Sequence, residues 1–173
     1  MIRGAFGSAR VAGHERPAFC ISLPVVPPFR ARHPAKGARL VFPSLSSSVA
    51  VGALIGWMLV LTAKHVVADF FLQTHWMAIG KDQKIGWAWP LLLHCSIHLG
   101  LTTALMLIIA PRFWFIGLID FAIHILIDRA KGFCVATFDV TRDHQWFWWL
   151  IGTDQALHHL TGFALSIWLA AQG

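Results

Sequence analysis

The sequence predicts an all-α polytopic membrane fold: an antiparallel four-helix transmembrane bundle over 47–173, behind a disordered basic tail over 1–46. Three observations predict it. Of 173 residues, 57% are hydrophobic and only 13% charged, about half the ~25% charged of soluble domains. Four apolar segments follow residue 48, each near the ~20 residues that a spanning helix needs. In each segment two ionisable residues spaced i, i+4 interrupt otherwise apolar sequence.

The elements are justified in chain order. Residues 1–46 carry Arg3, Arg10, Arg16, Arg30, Arg32, Lys36 and Arg39 against Glu15 alone. They lack apolar periodicity, and Pro24, Pro27 and Pro28 interrupt their one apolar patch, so the segment reads as disordered. Its Arg-rich, acid-poor character also resembles a transit peptide. A start at a later methionine such as Met58 is a third reading. The spanning segments are expected at 49–72, 88–110, 112–131 and 146–170. Pro90 suits the first turn of the second. Pro111 separates the second from the third, and the shortness of that connection makes the two antiparallel neighbours. Trp76, Trp87, Trp89, Trp146, Trp148 and Trp149 flank one set of connections, and Trp57, Trp114 and Trp168 lie toward the other. Tryptophan concentrates at membrane interfaces, where its ring is apolar and its N–H is wet.

The pairs are His65/Asp69, His94/His98, His124/Asp128 and Asp154/His158. The spacing places both members on one helix face. The first and third pairs lie in the C-terminal halves of their segments, the second and fourth in the N-terminal halves. In an up-down-up-down bundle all four therefore reach the same leaflet. Ionisable groups in a membrane are costly and mark function by default, and in lipid they find partners only inside the bundle. Gln73 continues the face of His65 and Asp69. Asp120 and Lys131 share the face of His124 and Asp128, and Thr161 lies close to that of Asp154 and His158. Gln155 and His159 sit about 100° round the fourth helix.

Imidazole and carboxylate are the usual ligands of Zn, Fe and Mn, and helical bundles build such sites from inward-facing side chains. The expected ligands of one or two divalent metal ions are His65, Asp69, His94, His98, His124, Asp128, Asp154 and His158. The expected supporting residues are Gln73, Asp120, Lys131, Gln155, His159 and Thr161. Lys131 either stabilises developing negative charge or pairs with Asp128. Lys64 reads as snorkelling or interhelical, Cys95 as a small core residue, His75 and His144 as interfacial, and Asp82, Asp139 and Asp143 as loop residues. Cys20, Cys95 and Cys134 show no metal-binding spacing.

His65-Val66-Val67-Ala68-Asp69-Phe70-Phe71-Leu72-Gln73-Thr74 followed by Lys81 resembles the opening motif of an uncharacterised bacterial integral-membrane family, domain of unknown function 3307. His94-x3-His98, His124-x3-Asp128-x2-Lys131 and Asp154-Gln155-x2-His158-His159 agree with its later motifs. The resemblance runs from about Met58 to Trp168 and implies the architecture and the motif residues. The family is similar in style to bacterial membrane-bound metal-dependent hydrolases, which implies hydrolysis of a membrane-proximal substrate by analogy.

Other functions use the same residues. Intramembrane Asp and His also form ion or proton pathways, and the cluster could serve helix packing alone. Haem ligation by histidines on facing helices fits less well with so many aspartates alongside. A desaturase-type diiron site lacks a third histidine box. The expected partners are the lipid bilayer and further copies of the chain. Nucleic acid is excluded, because the basic excess belongs to the tail and no folded basic module is visible. The expected location is the inner (plasma) membrane, multi-pass. Lys81, Lys84, Arg129, Lys131 and Arg142 against Arg112 would put the clustered end in the cytoplasm, and the tail's cations would balance that bias.

Overall fold

The computed structural model describes residues 42–44 and 48–173. The tail expected over 1–46 lies outside the described residues but for 42–44. All regular structure among the described residues is helical. Helix α1, Val51–Val66, runs directly into a π-helical turn, Val67–Leu72. The chain becomes extended at Gln73, and Thr74 caps a short helix α2, His75–Gly80, its hydroxyl accepting from the Met77 N–H at 3.3 Å. Helix α3 spans Ala88–Ile109 with Pro90 in its first turn. That position suits proline, whose missing N–H would have no partner there anyway. A 3-10 turn at Pro111–Phe113 leads into α4, Ile116–Thr137. Asp139, at φ +47°, turns the chain toward α5, Gln145–Ala170.

Two of these elements differ from the sequence expectation. Helix α2 was not anticipated, since six residues give too little periodicity to read. Helix α4 runs to Thr137 rather than 131. Its extra turns carry Gly132, where an added Cβ would lie 2.7 Å from the carbonyl oxygen of Lys81. The loop after α2 therefore rests on α4 at a point where only glycine leaves room.

The four long helices form a ring in which α3 lies against α4, α4 against α5, α5 against α1 and α1 against α3. At Gly117 an added Cβ would collide with the Thr103 hydroxyl, so glycine also permits the close approach of α3 and α4. At ~1.5 Å per residue, the 22 residues of α3 and of α4 reach about 33 Å, close to the ~30 Å of a bilayer core. The segments Val51–Leu72 and Ala88–Ile109 are long and apolar enough to cross a membrane. Helices α4 and α5 match them in length but carry more polar sequence, including Asp120, Asp128, Arg129, Lys131 and Asp154.

The ring has two unlike ends. At one, Leu61, Met106, Phe113, Ile116 and Leu169 form a buried apolar cluster, with Trp57, Leu165 and Trp168 against it. At the other, lysines, histidines and aspartates are buried, with Ala68, Leu91 and Cys95 beside them. Exposure is inverted around that end: Phe70, Leu126, Trp146 and Leu160 face outward while Asp128 and His98 are fully enclosed.

Candidate metal centre

The paired residues of all four long helices meet inside the polar end. The His65 ring lies 5.3 Å from that of His98, 5.5 Å from that of His124 and 5.2 Å from that of His158. His98 and His124 approach to 3.8 Å, and His124 and His158 to 4.4 Å. His94 lies 4.9 Å from His98. Seven of the eight expected ligands are buried, and Asp69 is half-buried. This convergence follows from the antiparallel ring: residues near the end of α1 and the middle of α4 share a level with those near the starts of α3 and α5.

Three triads offer ligand atoms within 4.8 Å of one another: His65, His98 and His124; Asp69, His94 and His98; Asp128, Asp154 and His158. Asp69 joins them. Its Oδ2 lies 3.3 Å from His65 Nε2, and its Oδ1 lies 2.8 Å from His98 Nε2 and 3.8 Å from His94 Nε2. His94 Nε2 in turn lies 3.4 Å from Asp128 Oδ2. His94 thus links Asp69 to the carboxylate-rich side of the cluster.

Lysines hold the carboxylates from outside. Lys64 donates to Asp120 Oδ2 at 2.7 Å, and Thr102 donates to the same oxygen at 2.6 Å. Lys81 donates to Asp128 Oδ1 at 2.7 Å. Lys131 lies 3.8 Å from Asp154 Oδ2, 3.9 Å from Asp128 Oδ1 and 3.7 Å from Asp82 Oδ1. The opposite oxygens, Asp128 Oδ2 and Asp154 Oδ1, are buried without a hydrogen-bond partner, as are His65 Nε2 and His124 Nε2. Leaving a buried polar atom unpaired costs about 1–3 kcal/mol, and these atoms belong to two of the triads that could hold a metal ion. Their chemistry, imidazole nitrogen and carboxylate oxygen, is that of a metal ligand set.

The expected supporting residues fall into three groups. The Gln73 Nε2 amide donates to His94 Nδ1 at 3.0 Å, which orients the ring with Nε2 toward Asp128 Oδ2. Asp120 serves His124 similarly: the His124 Nδ1–H donates to the Asp120 backbone carbonyl at 2.8 Å, which leaves Nε2 turned inward. Gln155 donates to Asp154 Oδ2 at 3.3 Å. His159 is exposed, with its ring 5.7 Å from that of His65. The Thr161 hydroxyl donates to its own helix at Leu157 O, 2.9 Å away, and touches no ligand.

Residues 57–171 match the model of a family described as a protein of unknown function, DUF3307. The chain belongs to this family. The matched span contains every residue of the cluster and of the apolar end, so the family unit is the whole helical ring. No curated protein and no solved structure matches the chain.

Sequence reasoning gave too little weight to three residues of this family member. Of the two readings of Lys64, about 100° from His65 on a helical wheel, the structure agrees with the interhelical one: it is buried, and besides its Asp120 ion pair it lies 3.2 Å from His98 Nδ1. Lys81, rather than Lys131, makes the close pair with Asp128. Its only sequence signal was its place in the opening motif, because α2 and the loop that carry it inward were not foreseen. Asp82 is a half-buried neighbour of Lys131 rather than an ordinary loop residue; burial pushes its carboxyl above the usual range while Lys131 and Lys81 pull it back. Asp139 remains a surface residue, paired with Lys84 at 2.8 Å.

An open cleft of about 780 Å³ leads to the cluster, with Asp69, Gln73, Lys81, Lys131, Asp154 and Gln155 among its polar lining. On the opposite side of the cluster, the apolar end is filled by side chains.

Proposed function

We propose that this chain is a multi-pass integral membrane protein of the inner membrane, built as a four-helix transmembrane bundle, and that its polar end is a metal centre serving hydrolysis of a membrane-proximal substrate. The observation that carries the reading is the set of buried ligand atoms without a hydrogen-bond partner on His65, His124, Asp128 and Asp154, each a member of a triad whose ligand atoms lie within 4.8 Å of one another. Eight candidate ligands exceed what one zinc, iron or manganese ion takes, so the three triads would have donors for two. The exposed tryptophans around the polar end and the inverted exposure support the bilayer as surroundings.

A metal ion held there would polarise a substrate oxygen and bring the pKa of a bound water to about 7. The residues of the chain do the rest. Gln73 orients the His94 ring and the Asp120 backbone sets the His124 tautomer. Lys64 and Lys81 hold Asp120 and Asp128 in place. Lys131 stands at the junction of the cleft and the centre, where negative charge would develop. Transport through the bundle is the weaker reading, because the cleft ends at the cluster and Leu61, Met106, Phe113, Ile116 and Leu169 fill the path beyond it.

Metal content of the purified protein tests this. About two ions per chain are expected by elemental analysis after gentle purification, with a loss of roughly tenfold or more in affinity for Asp69→Ala and His124→Ala. Folding is followed in the same samples by circular dichroism. Wild-type protein that folds but takes up no Zn, Fe or Mn would sink the proposal, and variants that lose their fold while wild type holds no metal would assign the cluster to packing.

A further inference from the structure

The cleft is lined by two chemically different sets of residues. One is the polar set named above, with the exposed Arg142. The other is Phe70, Ile79, Val135, Phe147 and Ile151. Phe70 is exposed on the π-helical turn, so the apolar lining reaches the outer surface of the ring. Trp76, Trp89, Trp146, Trp148 and Trp149 are exposed around the same end. Exposed tryptophans of this kind mark the headgroup level of a bilayer, which puts the cleft mouth where lipid phosphates lie.

The cations along the cleft are not equally committed. Lys81 is taken by Asp128 at 2.7 Å. Lys131 has three carboxylates around it at 3.7, 3.9 and 3.8 Å, none at close hydrogen-bond distance. Two of those carboxylates, Asp128 and Asp154, have their other oxygen turned to the metal centre. Metal binding would draw their charge inward and leave the Lys131 ammonium with donors to offer. Arg142 is exposed and makes no hydrogen bond or ion pair among the described residues. An ammonium beside a metal centre, an exposed guanidinium and an apolar lining that reaches the outer surface complement an amphiphile with a compact, multiply charged oxyanion at its head. Arg and Lys recognise phosphate in this way, by fork and by point charge respectively.

We propose that the cleft receives the phosphate group of a lipid, held by Lys131 and Arg142 beside the metal centre, with the apolar part of the lipid against Phe70, Phe147 and Ile151. The proposal rests on the metal reading above for the release of Lys131 from its carboxylates.

Calorimetric titration tests it. Protein in detergent micelles, loaded with manganese and with its metal content measured, is titrated with dihexanoyl phosphatidic acid, inorganic phosphate and dihexanoylglycerol. The phosphatidic acid should bind saturably, and the other two about tenfold more weakly or less. Lys131→Ala should weaken phosphatidic acid binding about tenfold, the worth of one charge-assisted hydrogen bond, and Lys131→Arg should largely restore it. Arg142→Ala should give a smaller loss. Equal binding by wild type and Lys131→Ala, or no binding by wild type, would overturn the proposal. Inorganic phosphate binding as tightly as the lipid would overturn the lipid source and place the ligand in solution. Failure to take up manganese would sink the metal reading alone; in that case Lys131-dependent lipid binding still upholds the anion site, and its absence removes it.

Discussion

The two ends of the helical ring hold together by opposite means. At the end built from Leu61, Met106, Phe113, Ile116 and Leu169, side chains of no charge fill the space between helices, as in a soluble core. At the other end the same four helices enclose Lys64, Lys81, Asp120, Asp128 and a set of histidines, all buried. An apolar end needs only shape, and it tolerates exchange of one hydrocarbon for another. A polar end needs every partner, because one missing ion leaves its counterpart buried and unpaired. The lysines satisfy the outer oxygens of the carboxylates, yet the inner atoms stay open. A cluster serving packing alone would gain by closing those atoms too. The contrast supports the proposal of a metal centre at the polar end, while the apolar end packs the four helices together.

Substitutions can break or sharpen that contrast. The largest expected effect is at Asp120, where Asp120→Ala strands the Lys64 ammonium and should cost about 3–5 kcal/mol. The double change Lys64→Met with Asp120→Leu should recover most of it, as read by thermal unfolding in micelles. A single variant as stable as wild type would show that the pair contributes little. Met106→Ala, in the fully buried middle of the apolar end, should cost about 2–5 kcal/mol and leave metal content unchanged. Metal lost from this variant would mean that the two ends are not separable. The smallest effect should come from Gly132→Ala, which pushes the Lys81 loop off α4 at about 1–3 kcal/mol. Its signature should be weaker metal retention than Met106→Ala shows at equal or greater stability, because it loosens the Lys81–Asp128 pair.

Much of this was legible along the chain. Apolar length located the four long helices. The i, i+4 spacing and the position of each pair within its helix brought His65, His94, His98, His124, Asp128, Asp154 and His158 to one level. The less legible parts depend on chain outside regular periodicity. The loop from Gln73 to Trp87 turns inward through α2 and rests on Gly132, so Lys81 reaches Asp128 across 47 residues of sequence. Lys64 lies off the face of its own pair on a helical wheel, but a long side chain spans that angle once α4 stands beside it. Thr161 shows the reverse: it is close to the right face, yet its hydroxyl bonds its own backbone, since a short side chain on a helix finds the carbonyl four residues back before it finds a neighbour.

The sequence by itself determined the family, the helical class and the residue types that meet at the polar end, because apolar length and four-residue spacing are local properties of a helix. Only the tertiary structure decided which oxygen of each carboxylate faces a lysine and which is left open, that Asp69 meets His65, His94 and His98 together, and that a cleft reaches the cluster. Those features depend on how far apart four helices stand and how each is rotated. Contacts between distant segments set both, and the backbone freedom of Gly117 and Gly132 lets those segments come close.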